Sequence, residues 1–207
     1  MNLSKFLNIS ANFISIVFHP LIITSIACFI VFNSGHYISI IDSNIKTSIY
    51  FIFFVMTFLM PALLIPVLYY FNLISKIQTD SQKDRILSLF VVGVLYALSF
   101  YFMSRVVFPE ILLKIVLSSV VLVFICMFIS ILHKLSLHTC GTGGLIALLF
   151  YLFSDFGLDI RFYLLISILI SGLVGTARLM LRKHNSFQIY LGWIIGFIVV
   201  FIVLKLL

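Results

Sequence analysis

The sequence predicts an all-α protein that crosses a membrane several times, because of its composition and its long apolar runs. Of the 207 residues, 63% are hydrophobic and only 9% are charged, and the mean hydropathy is +1.30. An ordinary soluble domain has far more charged residues than this. A helix needs about 20 apolar residues to cross the ~30 Å hydrocarbon core of a membrane. We therefore expect a polytopic helix bundle with about six or seven transmembrane helices.

Seven apolar runs follow one another along the chain. They cover residues 12-33, 48-72, 86-108, 110-133, 139-154, 160-181 and 187-206. The fifth run is short and opens on a stretch rich in Thr and Gly, which a membrane tolerates only where it faces protein or a cavity. The first run contains His19 and Pro20 and is not followed by a cleavage site of small residues, so we interpret it as a retained span. No linker or repeat divides the chain, and residues 1-207 are predicted to form one integral-membrane domain.

Basic residues are concentrated on one predicted face of the membrane. If all seven runs cross, the N-terminus lies on the same face as the loops at 73-85, 134-138 and 182-186. This face carries eight of the 13 Lys and Arg residues but only two of the six acidic residues. Such an excess marks the cytoplasmic side, but cations that bind a ligand do not report topology, so the orientation stays open. Because the basic residues stand at the ends of apolar runs, anionic headgroups or phosphates are favoured as partners over nucleic acid.

Three polar clusters fall on this basic face. They are "SKIQTDSQKDRI" with Arg85, "HKLSLHTCGTGG" with Lys134, Ser136 and His138, and "ARLMLRKHNSFQ" with Arg178, His184 and Gln188. Cations, a hydroxyl group and the free N–H groups of a Gly-rich helix start are all donors, which suits a tetrahedral oxyanion such as phosphate. Two histidines can divide phosphoryl transfer, one attacking phosphorus and the other protonating the leaving oxygen. No metal or other cofactor is then required, because the arginines neutralise the phosphoryl oxygens.

The same clusters also have ordinary structural interpretations. Lys and Arg at helix ends commonly anchor a span by extending to water, which is our interpretation of Arg182 and Lys183. A lone His at a helix end is often a capping group. A stripe of residues spaced by four runs from His184 to Gly192 and Gly196. Glycines in such a stripe let another helix approach closely, either within the chain or between chains.

The three clusters resemble the signatures of the type 2 phosphatidic acid phosphatase (PAP2) superfamily. Arg178, then His184 after five residues and Gln188 after three more, resembles the third signature, Ser-Arg-x5-His-x3-Asp. The Leu-Ser-Leu-His stretch at 135-138 is similar to that family's Pro-Ser-Gly-His. Arg85 stands where the Arg of the first signature, Lys-x6-Arg-Pro, is expected. The order of the signatures along the chain also agrees.

This resemblance covers roughly residues 76-196, and "FHPL" at 18-21 also looks like short bacterial members of the superfamily. It implies a PAP2-like core and a metal-independent phosphatase of the bacterial cytoplasmic (inner) membrane. By resemblance, His184 is the nucleophile that forms a phosphohistidine, and His138 is the general acid. The substrate phosphate would be bound by Arg85, Ser136 and Arg178, with Lys134 beside them. The substrates implied are phospholipid or isoprenoid lipid phosphates and pyrophosphates.

Six positions depart from the family pattern. Four of them are Ala177 for Ser, Leu135 for Pro, Leu137 for Gly and Ile86 for Pro. The other two bear directly on the chemistry. Gln78 stands where the Lys of the first signature would be, so Lys76 or Lys83 would have to reach the site. Gln188 replaces the Asp that holds the nucleophilic His in its tautomer and stabilises its charge. The comparable Asp-to-Asn change in serine hydrolases costs about 10⁴ in rate. The sequence favours a phosphatase, with a non-catalytic PAP2-like protein that binds or carries lipid headgroups, or assembles with a partner, as the alternative.

Overall fold

The computed structural model of the chain is a bundle of α-helices, as the composition predicts. The structure describes residues 3–75 and 81–206, and no β-strand occurs in these two ranges. Its α-helices are α1 (Leu3–Val17), α2 (Pro20–Asn33), α3 (Ser43–Phe54), α4 (Met60–Tyr70), α5 (Gln82–Ser104), α6 (Glu110–Leu132), α7 (Leu137–Phe156), α8 (Arg161–Met180) and α9 (Ser186–Leu206). Lys76 and Gln78, which bear on the first signature, lie outside the described residues.

Six helical stretches are long and apolar enough to cross a membrane, so the chain is an integral multi-pass membrane protein. They are Ser43–Tyr70, Gln82–Ser104, Glu110–Leu132, Leu137–Phe156, Arg161–Met180 and Ser186–Leu206. The bent pair of α1 and α2 makes a seventh if it is counted as one span. The prediction of six or seven transmembrane helices is confirmed.

The helix between α3 and α4 widens into a π-helical turn, Val55–Leu59. Pro61 lies just after this turn, and a proline has no N–H to donate and pushes away the carbonyl four residues earlier.

The first apolar run, expected to form one span over residues 12-33, is broken in the structure. α1 ends at Val17, α2 begins at Pro20, and the two helices are bent by 57°. Pro20 disfavours a helical conformation in the residue before it, and His19 is extended, with φ −64° and ψ 140°. The Nδ1 atom of His19 then caps α2 by accepting a hydrogen bond from the N–H of Leu21 at 3.4 Å. The break therefore places His19 at a helix junction.

α7 is the central helix, and it is longer than the predicted run of 139-154. Ser136 starts it, because its Oγ accepts a hydrogen bond from the N–H of Thr139 at 3.5 Å. Gly157, with a φ of 61°, ends it in the left-handed conformation that glycine adopts easily. The helices α2, α8 and α9 pack around it. The Thr and Gly residues in its first half therefore face protein, as they must in a membrane.

The backbones of α7 and α9 lie too close together for side chains at the contact. A methyl group on Gly196 would lie 2.0 Å from the carbonyl oxygen of Cys140, and one on Gly143 would lie 2.3 Å from that of Trp193. One on Gly192 would lie 2.8 Å from a carbonyl oxygen at the start of α7. The glycine stripe on α9 thus packs within the chain, an alternative that the sequence left open.

The loops of the predicted basic face lie together at one end of the bundle. The guanidinium group of Arg85, at the start of α5, donates a hydrogen bond to a carbonyl oxygen in the loop between α6 and α7. In that same loop the N–H of Ser136 donates to the carbonyl oxygen of Gln188 in α9, at 3.4 Å. At the opposite end, Lys205 forms an ion pair of 2.7 Å with Asp155. The three polar clusters therefore meet at one end of the bundle.

Candidate functional site

A cavity of about 460 Å³ lies at this end of the bundle and extends between the helices. Five of the seven predicted site residues line it: Arg85, Lys134, His138, Arg178 and His184. The other two, Ser136 and Gln188, are not among the residues that line it. The five lining residues come from α5, from α7 and the loop before it, and from α8 and the loop after it. Folding therefore brings residues from all three clusters to a single cavity.

The first turn of α9 fixes the imidazole ring of His184. Its Nδ1 lies 3.0 Å from Oε1 of Gln188, and the same Oε1 accepts a hydrogen bond from the N–H of Asn185 at 3.4 Å. A backbone N–H can only donate, so the amide of Gln188 presents its oxygen to both groups. Nδ1 of His184 therefore carries the proton, and Nε2 keeps a lone pair. This is the tautomer in which Nε2 can attack an electrophile.

Gln188 also has a structural role at the start of α9. The side chain of Asn185 accepts a hydrogen bond from the N–H of Gln188 at 2.9 Å. The side chain of Gln188 accepts one from the N–H of Asn185 in return. This reciprocal pair is a capping box, which satisfies two N–H groups that the helix leaves without partners. Helix capping alone would thus account for a Gln at this position.

Burial lowers the pKa of His184 to about 4. Its hydrogen bond with Gln188 acts in the opposite direction and raises the pKa. The positive charges of Arg178, Lys134 and Arg85 lower it further, because they disfavour a charged imidazole. His184 is therefore neutral at pH 7, as a nucleophile must be.

The ring of His138, in the first turn of α7, is held by α1. Its Nε2 lies 3.0 Å from the carbonyl oxygen of Ser15. A carbonyl oxygen only accepts, so Nε2 carries a proton and Nδ1 is the nitrogen left to act on a ligand. The carbonyl group orients the ring and stabilises a positive charge on it, as the third group of a catalytic triad does. A protonated His138 can therefore donate its second proton through Nδ1.

Arg85 is buried, with 5% of its surface exposed. Its Nη2 donates a hydrogen bond to the carbonyl oxygen of Leu135, whereas its Nε has no hydrogen-bond partner among the described residues. A buried donor without a partner costs about 1–3 kcal/mol, and more when it is charged. An anion in the cavity would satisfy this donor and compensate its charge.

Ser136 caps a helix in the structure. It is fully buried, and its Oγ accepts a hydrogen bond at the start of α7. The structure thus gives it the role of a helix cap two residues before His138. Direct binding of phosphate by its hydroxyl group stays a prediction.

Sequence reasoning missed several polar residues of the cavity wall. Asn12 and Ser15 come from α1, His19 from the junction after it, and Lys183 from the loop between α8 and α9. The first three are spaced by three and four residues and so share one helical face, a pattern that is visible in the sequence. Lys183, which the sequence predicts to be an interface anchor, also lines the cavity. Arg182, interpreted in the same way, is exposed.

The polar end of the cavity is cationic. Four basic side chains line it, namely Arg85, Lys134, Arg178 and Lys183, and no Asp or Glu within the described ranges does so. This charge suits an anion, for which arginine offers several donors in a fixed geometry. In residues 3–75 and 81–206, no group of three or more His, Cys, Asp or Glu side chains could hold a metal ion.

Away from the cations the cavity becomes apolar. Its wall there includes Ala27 from α2, Val92 from α5, Ile115 from α6 and Leu148 from α7. Leu148 lies ten residues beyond His138 along α7, a rise of about 15 Å. This is half the thickness of the hydrocarbon core. The cavity thus joins a cationic end to an apolar space long enough for a hydrocarbon chain.

Comparisons of the chain with protein-family models, with curated protein sequences and with solved structures find no match. The likeness to the PAP2 signatures is therefore carried by the motif residues alone.

Proposed function

We propose that the protein is a lipid phosphate or pyrophosphate phosphatase of a bacterial cytoplasmic membrane, acting through a phosphohistidine at His184. One observation carries this proposal: His184, whose Nδ1 is bonded to Gln188, lines a cavity together with four cations and, within the described ranges, no acidic residue. The order of the three motifs, which resembles that of the PAP2 superfamily, supports the same function.

The substrate phosphate binds at the cationic end of the cavity. Arg85 supplies its unpartnered Nε–H and its charge, and Arg178 and Lys134 supply further charge. Negative charge spreads over the phosphoryl oxygens in the transition state, where fixed cations stabilise it most strongly. These residues therefore both bind the substrate and lower the barrier.

Two histidines divide the chemistry. In the first step, Nε2 of His184 attacks phosphorus, the bond from phosphorus to the leaving oxygen breaks, and His138 donates a proton to that oxygen from Nδ1. In the second step, the now neutral His138 takes a proton from a water molecule as the water oxygen attacks phosphorus. The bond from Nε2 to phosphorus then breaks, inorganic phosphate leaves, and His184 recovers its lone pair. Gln188 accepts from Nδ1–H of His184 throughout.

The apolar part of the cavity favours a lipid substrate. A phosphate bound beside His138 lies about 15 Å, along α7, from the apolar end of the cavity at Leu148. A phospholipid or isoprenoid phosphate can place its headgroup among the cations while its chain lies along this wall. A soluble phosphate ester would leave that space unused.

The proposal is tested by phosphate release from dioleoyl phosphatidate in detergent micelles. The protein should release inorganic phosphate, and orthovanadate should inhibit it, because vanadate mimics five-coordinate phosphorus. His184→Ala should remove both turnover and the labelling of the protein by radioactive phosphate. His133→Ala is the matched control, since this histidine is exposed at the same end but does not line the cavity. Full activity of His184→Ala would overturn the mechanism.

A second candidate is a non-catalytic protein that binds lipid headgroups in the same cavity. The capping box favours it, because Gln188 has a structural reason to be present and gives His184 no negative charge. Such a protein would bind orthovanadate or phosphatidate without turnover. Binding without phosphate release from any lipid phosphate would support it over the enzyme.

A further inference from the structure

The junction of α1 and α2 brings a third histidine to the cavity. His19 lines the cavity with His138 and His184. Its ring lies edge-on to that of His138, with the ring centroids 5.4 Å apart and the planes at 82°. His19 belongs to none of the three motif clusters, and the proposed reaction gives it no part.

The cap of α2 decides which nitrogen of His19 carries the proton. Nδ1 accepts the hydrogen bond from the N–H of Leu21, so the neutral ring has its proton on Nε2. The cap makes no use of this Nε2–H, and the ring that carries it lines the cavity. Nε2–H is therefore a donor that the cap leaves available beside the cavity.

His19 follows a polar face of α1 that borders the cavity. The carbonyl oxygen of Ser15, one turn earlier, holds Nε2 of His138 at 3.0 Å. Asn12, one turn earlier again, lines the same cavity. One polar face of α1 thus forms a wall of the site, and the break at Pro20 presents His19 at the end of that wall.

We propose that His19 is a substrate-binding residue whose Nε2–H donates a hydrogen bond to a phosphoryl oxygen of the bound substrate. The inference rests on the proposed function for the identity of that substrate. A neutral donor suits this place, because four basic side chains already line the cavity and a fifth charge would repel them. A hydrogen bond to a charged acceptor changes an equilibrium constant by about 10- to 100-fold.

Two substitutions separate the donor of His19 from its capping role. His19→Asn keeps a good N-cap acceptor for α2, but its amide is too short to reach the position of Nε2. His19→Gln places an amide N–H near that position and caps less well. His133→Asn is the matched control, the same change in an exposed histidine outside the cavity.

Turnover of dioleoyl phosphatidate and of glycerol 3-phosphate should both respond to the loss of the donor. For both substrates His19→Asn should raise KM, and the inhibition constant of orthovanadate, by about tenfold or more. His19→Gln should recover part of this loss, which a purely structural role would not allow. A change confined to the lipid would mean that His19 contacts the chain and not the phosphate, and would overturn the proposal.

Orthovanadate binding, measured by calorimetry, separates this proposal from the proposed function. If the wild type does not turn over but binds vanadate more tightly than His19→Asn does, the phosphatase fails and the role of His19 stands. A second outcome is that the wild type turns over, that His184→Ala is inactive, and that His19→Asn binds vanadate as tightly as His133→Asn does. The phosphatase then stands and the role of His19 is refuted. If His19→Asn does not fold, the comparison of His19→Gln with His19→Ala decides. His19→Gln, which keeps an N–H near the position of Nε2, should bind orthovanadate at least about tenfold more tightly than His19→Ala, which has no donor. Equal vanadate affinities of these two variants would contradict the proposal. A wild type that binds neither vanadate nor phosphate overturns both.

Discussion

Replacing Gln188 by Glu should convert a slow phosphatase into a faster one. In the wild type, Nδ1 of His184 lies 3.0 Å from Oε1 of Gln188. Glu and Gln side chains have the same length, so the carboxylate introduced by Gln188→Glu can accept the same hydrogen bond. Glu is also the preferred partner in a capping box and is favoured in the first turn of a helix. The substitution therefore adds a negative charge beside the nucleophile without removing a contact.

The expected gain follows from the charge that His184 acquires when its Nε2 bonds to phosphorus. For unit charges 3.0 Å apart, Coulomb's law gives about 1.4 kcal/mol at the dielectric constant of water and about 5.5 kcal/mol at an effective value of 20. These values correspond to about tenfold and about 10⁴-fold in rate. The upper value agrees with the roughly 10⁴-fold effect of the comparable substitution in serine hydrolases. His184 is partly exposed, which places the expected gain in kcat toward the lower value.

The assay is single-turnover release of phosphate from dioleoyl phosphatidate, compared with Asn185→Asp. That control adds the same charge at the cap of α9 and remains a good N-cap, but position 185 does not hold the ring of His184. Gln188→Glu should exceed both the wild type and Asn185→Asp. If it gains no more than the control while still binding orthovanadate, no positive charge develops on His184 and the nucleophile is misassigned.

Three further predictions follow from the same geometry. The methyl group of Gly196→Ala would lie 2.0 Å from the carbonyl oxygen of Cys140. This variant should therefore have reduced turnover and a lower midpoint of thermal unfolding, equivalent to about 1–3 kcal/mol. The control Gly172→Ala, whose methyl group would have nothing within 4 Å, should change neither. Burial lowers the pKa of His184 to about 4. Protonation of His184 should therefore leave kcat/KM unchanged between pH 7 and about 5 and lower it as the pH drops through about 4. A fall in kcat/KM near pH 6.5 that depends on His184 would contradict this. Arg85→Lys keeps the charge but loses the Nε donor and the hydrogen bond to the carbonyl oxygen of Leu135. The inhibition constant of orthovanadate should therefore rise by about tenfold or more. An unchanged inhibition constant would show that Arg85 does not bind the anion.

Hydropathy and the alternation of spans predict most of the architecture. The helical class, the six or seven spans and the shared end of the three clusters all follow from the length and order of apolar runs. The break before Pro20 does not follow, because a proline within an apolar run is compatible with a kinked but continuous transmembrane helix. The path of α1, and with it the contact between Ser15 and His138, depends on that break.

The candidate site could be predicted only in part, because residue type does not show what a side chain is already bonded to. Ser136 was assigned to phosphate as a hydroxyl group in a motif, yet its place before the first helical residue gives its oxygen a structural partner. Lys183 is predicted to lie at the interface, since a cation at a helix end usually points to water, and its place in the cavity wall does not follow from that rule. The capping box was visible in the sequence as Asn185 followed three residues later by Gln188, a pattern typical of a helix start.

The relative position of the two motif histidines depends on the contact between α7 and α9. His138 lies in the first turn of α7, and His184 directly precedes the cap of α9. The side-chain hydroxyl of Thr139 donates to the carbonyl oxygen of Ile189 at 3.0 Å, and the absence of a side chain at Gly196 lets the two backbones touch. Since interiors packed in this way resist small displacements, the distance between His138 and His184 is set by the core. If the two histidines divide phosphoryl transfer as we propose, any residue that separates α7 from α9 should weaken phosphoryl transfer more than it weakens binding of the anion.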